Sequence, residues 1–351
     1  METLVEMRGL TVDFPRGDRS SRALHGVDLD VGRGQALGLV GESGSGKSVT
    51  WLAALGLLPG KAKISGSVMF DGRQLLHAPR SALDGIRGRK IAMIFQDPSS
   101  SLNPVLRIGR QITEALGLHR GLKGAAAEAE AKRLLDRVGI ANAARRLGDY
   151  PHELSGGMNQ RAMIAMALAG EPELLIADEP PTALDATVQA QLLALLQDIR
   201  RDTGMAMVLI SHDLGVVAEN VDCVCVMYAG RLVEEAPSGR VFDRPRHPYT
   251  RGLLAALPAL EGPRRRLVAI PGTVPEPWNL PRGCAFAPRC AEAEDSCHHT
   301  MPPQISVDRN ERVQCFHARY HVDPVHPQPE GTPASVSHVA VSGHAVAVIA
   351  Q

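Results

Sequence analysis

The chain has 351 residues, 44% of them hydrophobic, which is enough for one large domain or two modest ones with a sizeable core. Its 38 lysines and arginines balance 38 aspartates and glutamates, so neither nucleic acid nor an anionic membrane is an expected electrostatic partner. No run of about 18 apolar residues and no secretion-type leader is present, so a cytosolic chain without stable disulfides is expected.

Apolar runs recur along the first 240 residues and predict the strands of an α/β fold. They are continuously apolar rather than alternating, which is typical of strands buried on both faces of a mostly parallel sheet. Helix-like stretches lie between them, for example Ala127–Val138. The predicted strands are Ala36–Val40, Ile91–Phe95, Leu174–Ala177 and Met205–Ile210.

A phosphate-binding motif of the form G-x-x-x-x-G-K-[ST] follows the first of these strands and precedes a helical run. Its glycines let backbone amides turn toward phosphate oxygens, and the helix N-terminus adds a favourable dipole. Lys47 is expected to bridge the β- and γ-phosphates of ATP, and Ser48 is expected to hold Mg²⁺. The predicted nucleotide-binding stretch consists of Gly41, Glu42, Ser43, Gly44, Ser45, Gly46, Lys47, Ser48 and Val49.

Polar residues follow the other strands. Asp178 and Glu179 come after Leu174–Ala177, and ligands of open α/β sheets bind beyond the carboxyl ends of the strands. Asp178 is therefore expected to bind Mg²⁺ through water, and Glu179 to polarise the attacking water. Gln96 can reach the metal or that water, and His212 can donate a hydrogen bond that orients the water.

A Ser-Gly-Gly turn lies between these motifs, at Ser155, Gly156 and Gly157 within Leu154–Arg161. The ordered set of phosphate loop, Ser-Gly-Gly turn and Asp-Glu pair resembles the nucleotide-binding subunit of ABC transporters over roughly residues 4–240. The resemblance implies a P-loop ATPase fold with a mixed sheet and a helical subdomain at about 97–165. It also implies a role for each motif residue. Phe14 stacks on adenine or packs in the core, Gln96 belongs to the Q-loop, and Leu154–Gly157 is the signature. Walker B ends at Asp178, Glu179 is the catalytic carboxylate, Asp185 belongs to the D-loop, and His212 is the switch histidine.

The Ser-Gly-Gly turn also bears on assembly. Ser155, Gly156 and Gly157 can present a hydroxyl and amides to a γ-phosphate at a helix start. In ABC ATPases that phosphate belongs to the other subunit of a head-to-tail pair, so the resemblance implies a second ATPase subunit. The expected assembly is a heterodimer with a paralogous ATPase.

Beyond residue 240 proline becomes frequent and four cysteines follow, Cys284, Cys290, Cys297 and Cys315. Structural zinc usually shows tighter Cys-x₂₋₄-Cys pairs, whereas the spacing of iron–sulfur ligands varies. Two further cysteines, Cys223 and Cys225, alternate along a strand-like stretch and are predicted to be buried core thiols.

The motif His247-Pro248-Tyr249 precedes these four cysteines. The pairing resembles the C-terminal region of oligopeptide and dipeptide importer ATPases, and members of that branch carry a [4Fe-4S] cluster. The cluster is therefore the expected occupant of the four cysteines, with Zn²⁺ as the alternative. The predicted divisions are an ATPase domain at 1–240, this small C-terminal region at 241–320 and a disordered tail at 321–351.

The expected function is that of the ATPase subunit that powers peptide import. The resemblance implies two transmembrane permease subunits, an extracytoplasmic binding protein and a peripheral position at the cytoplasmic face of the membrane. The alternatives are a nickel or other small-solute importer, a soluble ABC protein acting on ribosomes or DNA, and a redox sensor. The single ATPase body, without a long coiled coil between Ser48 and Leu154, argues against the ribosome and DNA classes.

Overall fold

A computed structural model describes residues 2–17, 19–95, 101–179, 186–257, 269–308 and 310–319. In these ranges the strands are β1 (Thr3–Arg16), β2 (Arg19–Gly32), β3 (Ala36–Val40), β4 (Lys63–Phe70), β5 (Arg73–Gln74), β6 (Ile91–Ile94), β7 (Leu174–Asp178), β8 (Ala206–Ser211), β9 (Cys223–Tyr228), β10 (Arg231–Pro237), β11 (Ile305–Asp308) and β12 (Glu311–Val313). The helices are α1 (Lys47–Ala54), α2 (Arg80–Asp84), α3 (Ile108–Arg120), α4 (Gly124–Arg137), α5 (Ala143–Arg146), α6 (Gly156–Leu168), α7 (Ala186–Thr203), α8 (Leu214–Asn220), α9 (Ser238–Asp243), α10 (Pro248–Ala255) and α11 (Asp295–His299). None of these helices is both long and apolar enough to cross a membrane.

The main sheet has eight strands in the order β11-β12-β10-β9-β3-β8-β7-β6. Pairing is parallel from β6 through β7, β8 and β3 to β9, and antiparallel from β9 through β10 and β12 to β11. The predicted mixed sheet is thus confirmed. Each predicted strand lies within one residue of its observed position, because runs of buried apolar residues mark central strands strongly.

Alternate residues of the central strands contribute to two different cores. In β3, Ala36 and Val40 belong to one cluster of buried residues, whereas Leu37 and Leu39 belong to the other. This division explains why the strand sequences are apolar at every position, since a strand with both faces covered has no solvent side.

A second, antiparallel sheet in the order β2-β1-β4-β5 covers one face of the main sheet. Its long hairpin pairs Thr3 with Gly32 and Arg16 with Arg19. The opposite face carries α3, α4 and α6, whose buried residues share the other core. The sequence predicts a helical subdomain at about 97–165; residues 97–100 lie outside the described residues, and α6 continues to Leu168.

The C-terminal region packs onto the body. β12 pairs with β10, so it extends the main sheet, and Phe286 joins the same core as the helical layer. The rings of Tyr228, Tyr249 and Phe286 form a cluster with centroids 4.6–5.3 Å apart. A region this small cannot bury a sufficient core alone, and it uses the core of the ATPase body instead.

The contact between the helical layer and the sheet generates a stability prediction at Gly170, which follows α6. A Cβ at this position would lie 2.0 Å from the carbonyl oxygen of Gly88 and 2.9 Å from the Cα of Arg89. Because both neighbours are backbone atoms, Gly170→Ala should lower the free energy of unfolding by about 1–3 kcal/mol, measured by urea denaturation.

Gly60→Ala is the matched control, since Gly60 is exposed and a Cβ there would meet nothing within 4 Å. Its effect should stay within about 0.5 kcal/mol. Equal unfolding free energies for the two variants would contradict the close approach at Gly170.

Candidate functional site

The phosphate loop connects β3 to α1 and is folded around its own lysine. Nζ of Lys47 donates to the carbonyl oxygens of Gly41 at 2.8 Å and Glu42 at 3.0 Å. Burial lowers the pKa of Lys47, while the carboxylates of Glu179, Asp178 and Glu42 oppose that shift. The ammonium group is therefore held at the loop by carbonyl bonds and by nearby negative charge.

Gly41 shows why the loop needs glycine where β3 ends. Its φ is +153°, and a Cβ would lie 2.1 Å from the carbonyl oxygen of Met227 in β9. The loop backbone thus leaves the sheet in direct contact with the neighbouring strand. A larger residue at this position would push the loop away from the sheet.

The end of β7 meets the start of α1 beside the loop. Oγ of Ser48 donates to Oδ1 of Asp178 at 2.9 Å. Asp178 is 8% exposed, and burial raises its pKa while the Ser48 hydrogen bond and the Lys47 charge act in the opposite direction. A hydroxyl and a carboxylate this close are oxygen donors of the kind that Mg²⁺ prefers, so the pair fits the ion.

Glu179 and His212 lie together after the ends of β7 and β8. Nδ1 of His212 is 3.3 Å from Oε1 of Glu179. The backbone N–H of Glu179 donates to the carbonyl oxygen of Ile210 at 3.0 Å, and its φ is +47°. A left-handed backbone is costly for a residue other than glycine and is common at functional sites. The turn aims the Glu179 side chain toward the phosphate loop.

A cavity of about 260 Å³ lies over the phosphate loop. Glu179 is part of its wall, as are Arg22 and Ala23 of β2. No sequence pattern predicts its remaining wall, which comes from the C-terminal region at Pro275, Pro277 and Leu280. Its described lining residues are Arg22, Ala23, Ser43, Gly44, Ser45, Gly46, Lys47, Ser48, Val49, Glu179, Ala229, Gly230, Pro275, Pro277 and Leu280.

The C-terminal wall also reaches the end of the β1–β2 hairpin. Trp278 is 54% exposed, and the guanidinium carbon of Arg16 lies 3.6 Å from the centre of its ring. Phe14 is partly buried against the core between the two sheets and is not among the described residues that line the cavity. The predicted site residues Gln96 and Asp185 lie outside the described residues.

The Ser-Gly-Gly turn lies apart from this cavity, because it is not among the described lining residues. Ser155 caps α6, and its Oγ accepts a hydrogen bond from the backbone N–H of Met158 at 3.3 Å. Ser155 and Gly156 are exposed. Within one chain, the turn therefore presents a helix N-terminus to the surroundings rather than to the chain's own phosphate loop.

The four C-terminal cysteines line a second, small cavity of about 10 Å³. All are free thiols, and Cys297 and Cys315 are buried. Burial raises the pKa of Cys284, Cys290 and Cys315, and the neighbouring thiols raise it further. Within the described ranges, no group of three or more histidine, cysteine or acidic side chains is arranged to hold a metal ion. The thiols share a cavity without forming a ready ligand set.

The prediction for the two strand cysteines needs one correction. Cys225 is fully buried in β9, as predicted, but Cys223 is only half-buried. Cys223 is the first residue of the strand, where the covering layers are incomplete. The alternating pattern predicts that both thiols lie on one face of the strand. It does not predict where along the strand the layer that covers this face ends.

Known proteins resemble this chain in its fold and in its phosphate site. Residues 24–182 match the model of the ABC transporter family. The dimeric ATP-binding cassette MJ0796, solved in a post-hydrolysis state with ADP and Pi, is 27% identical with a TM-score of 0.61, covering 67% of this chain and 99% of that chain. CbiO1 of Clostridium perfringens, part of the complex cbiONQ, has a TM-score of 0.59 at 25% identity, covering 70% of this chain and 92% of that chain. The fold and the site are those of a phosphate-loop ATPase.

The second matched region narrows the family. Residues 233–297 match the oligopeptide/dipeptide transporter C-terminal region. OppD, the oligopeptide transport ATP-binding protein of Haemophilus influenzae, is 48% identical over 307 residues, which cover 88% of this chain and 94% of OppD. A predicted peptide import ATP-binding protein of Brucella abortus (strain 2308) is 52% identical over 300 residues, covering 85% and 90% of the two chains. The chain belongs to the ABC transporter family, in its oligopeptide/dipeptide branch, and it is an ATPase.

A half-buried histidine beside the cavity wall is expected to make the stability of the fold depend on pH. His25 follows Arg22 and Ala23 in β2, and its backbone N–H donates to the carbonyl oxygen of Gly230 at 2.9 Å. Burial lowers the pKa of His25 to about 4. The positive charges of Arg231 and Arg22 act in the same direction.

The resulting prediction follows from the sign of that shift. Because the folded pKa lies below the unfolded value of about 6.5, the stability due to neutral His25 is complete above pH 6.5 and is lost as the pH falls toward 4. Between about pH 6.5 and 5, ordinary carboxylates stay ionised. In this range the free energy of unfolding should fall less steeply with decreasing pH in His25→Gln than in wild type, and the two slopes should differ by at most about 1.4 kcal/mol per pH unit. Urea denaturation at several pH values measures the slope, and equal slopes in wild type and variant would contradict the assignment.

Proposed function

We propose that this protein is the ATP-hydrolysing subunit that powers import of dipeptides or oligopeptides through a membrane ABC transporter. One observation supports the substrate class: the phosphate-loop site lies on the same chain as a region that matches the oligopeptide/dipeptide transporter C-terminal region. The similarity to OppD, an oligopeptide transport ATP-binding protein, and to the Brucella peptide import protein supports this proposal.

Within the site, Lys47 and the loop amides bind the ATP phosphates, and Ser48 with Asp178 holds Mg²⁺. The 2.9 Å hydrogen bond between Ser48 and Asp178 supports this role, because it brings the two oxygen donors together. The bound ion screens phosphate charge during hydrolysis. Glu179 polarises the attacking water, and the 3.3 Å contact with His212 supports a joint role in orienting that water.

The remaining site residues take the roles that the family implies. Gln96 belongs to the Q-loop and its amide reaches the metal or the attacking water, Asp185 belongs to the D-loop, and Phe14 either stacks on adenine or packs in the core. The packing of Phe14 against the core between the two sheets supports the core alternative. Residues 1–240 form the ATPase domain, 241–320 the small C-terminal region and 321–351 a tail.

A second ATPase subunit completes the site. Ser155, Gly156 and Gly157 cap a helix start away from the chain's own cavity, which supports their binding to the γ-phosphate of a partner in a head-to-tail pair. The MJ0796 cassette is dimeric, which supports an assembly of two ATPase subunits. The partner is a paralogous ATPase, which gives a heterodimer.

The assembled transporter contains two transmembrane permease subunits and receives its substrate from an extracytoplasmic binding protein. The names of the relatives support these partners, since peptide import requires a path through the membrane. This chain then sits peripherally at the cytoplasmic face, where its helical subdomain contacts the permeases.

The four C-terminal cysteines hold a [4Fe-4S] cluster, with Zn²⁺ as the alternative. Four thiols line one cavity and are donors of the type that either group binds, and the burial that raises the pKa of Cys284, Cys290 and Cys315 makes free thiolates costly there. The 10 Å³ between them is close to the space of one atom, so a cluster requires the side chains to rotate outward.

Glu179→Gln tests the ATPase role. The variant should keep ATP affinity but lose roughly 10²–10⁴-fold in kcat in the assembled complex, because the amide cannot accept the water proton. Phosphate release measures ATP hydrolysis, and uptake of labelled peptide into proteoliposomes measures transport. Both rates should fall together. Lys47→Ala is the contrasting variant and should lose ATP binding itself. Wild-type turnover by Glu179→Gln, or peptide uptake that continues without hydrolysis, would refute the proposal.

Metal analysis tests the cysteine site. Anaerobically purified protein should be brown and contain about four iron atoms per chain. Zinc would instead give a colourless protein with about one metal atom per chain. Cys284→Ser/Cys290→Ser should lose the metal, whereas the matched control Cys223→Ser, on β9, should retain it. Unchanged metal content in the double variant would exclude these ligands.

A further inference from the structure

Arg289 connects the cysteine turn to the phosphate loop. It lies in the 3₁₀ turn Ala287–Arg289 immediately before Cys290, and its side chain is 4% exposed. Its guanidinium donates from Nη1 to Oε2 of Glu42 at 2.7 Å and from Nη2 to Oε1 of Glu42 at 3.0 Å. Paired bonds of this kind between arginine and a carboxylate are strong and directional.

The guanidinium is itself held from the C-terminal side. Nε of Arg289 donates to the carbonyl oxygen of Pro271 at 2.9 Å, and Nη1 lies 3.3 Å from the hydroxyl of Tyr228. The guanidinium carbon also lies 5.8 Å from the centre of the Tyr228 ring and 5.9 Å from the centre of the Phe286 ring. Arg289 is thus a fixed donor, unlike a mobile arginine at the protein surface.

Glu42 has a second attachment to the same region. Its backbone N–H donates to the hydroxyl of Tyr249 at 2.9 Å, and Tyr249 is fully buried in α10. Nδ1 of His247 accepts from the backbone N–H of Tyr249 at 3.0 Å and caps that helix. The carboxylate of Glu234 accepts from the backbone N–H of His247 at 2.9 Å. The His-Pro-Tyr motif therefore holds the loop backbone while Arg289 holds its side chain.

These contacts bear on ATP binding through the loop lysine. The carbonyl oxygens of Gly41 and Glu42 accept the bonds from Nζ of Lys47, so the position of Glu42 sets the position of the ammonium group. The Glu42 carboxylate would also repel ATP phosphates unless it were neutralised. The bidentate pair with Arg289 both orients the loop and offsets this negative charge.

We propose that Arg289 is a positioning residue of the nucleotide site, which acts through Glu42 to set ATP affinity and thereby couples the cysteine turn Cys284–Cys290 to the phosphate loop. The inference rests on the proposed role of Lys47 in phosphate binding. It assigns the C-terminal region a part in nucleotide binding besides its attachment to the body.

The test measures ATP binding to the full chain by isothermal titration calorimetry with Mg²⁺, and KM and kcat in the assembled complex. Arg289→Gln should raise the Kd and the KM for ATP about 10-fold while kcat changes less than about twofold, because the loop is misplaced but the hydrolytic groups remain. Arg289→Lys keeps the charge without the paired bonds and should raise both about threefold. Glu42→Gln/Arg289→Gln should bind ATP more tightly than Arg289→Gln alone, since no unpaired carboxylate remains.

Arg312→Gln is the matched control. Arg312 in β12 donates from Nε to the carboxylate of Glu235 in β10 at 3.0 Å, so this pair also joins the C-terminal region to the body. In the part of the chain that the structure describes, Arg312 makes no hydrogen bond or ion pair with the phosphate loop. Its loss should leave the Kd for ATP within about twofold of wild type.

The outcomes separate this inference from the proposed function. Wild-type affinity in Arg289→Gln, or an equal loss in Arg312→Gln, would overturn the coupling even though the ATPase assignment stands. If Arg289→Gln does not fold, Arg289→Lys and the double variant decide, and wild-type Kd and KM in both would overturn the coupling. Failure of the wild-type complex to bind ATP would instead refute the proposed function.

Discussion

Three parallel strands, β3, β7 and β8, end side by side in the main sheet, and the groups of the candidate site follow these ends. Val40 pairs with Ser211, and Asp178 pairs with Ile210. The phosphate loop, the Asp-Glu pair and His212 therefore meet although they are far apart in the sequence. Hydrogen bonding between parallel strands is the constraint on which this geometry depends, because it sets the relative heights of the strand ends.

The site also carries features that oppose stability. Asp178 and Lys47 are both largely buried. Burial raises the pKa of Asp178 and lowers the pKa of Lys47, so it favours the neutral form of each side chain. Glu179 has a left-handed backbone. Such costs are expected where a site is arranged for a charged ligand that is not part of the fold itself. The buried apolar strands beneath the site stabilise the fold and so offset these unfavourable contributions.

The C-terminal region changes how the phosphate site is understood. It extends the main sheet through β12, supplies one wall of the cavity and contacts the loop through Arg289 and Tyr249. A family match alone would place it after a complete ATPase body. Its contacts instead make the phosphate loop part of a surface shared by both regions. In this chain, these contacts connect the cysteine turn to the phosphate loop.

The α/β class, the central strands, the phosphate loop and the order of its partner motifs could all be predicted from the sequence. These features depend on local patterns, since continuous apolar runs and glycine-rich turns restrict the nearby backbone directly. The tertiary structure alone decided which distant groups meet. Arg289 and Glu42 are 247 residues apart, and an arginine beside a cysteine carries no local signal of burial. The wall at Pro275–Leu280 and the half-burial of Cys223 were likewise unpredictable, because both depend on which layer covers a surface after the chain has folded.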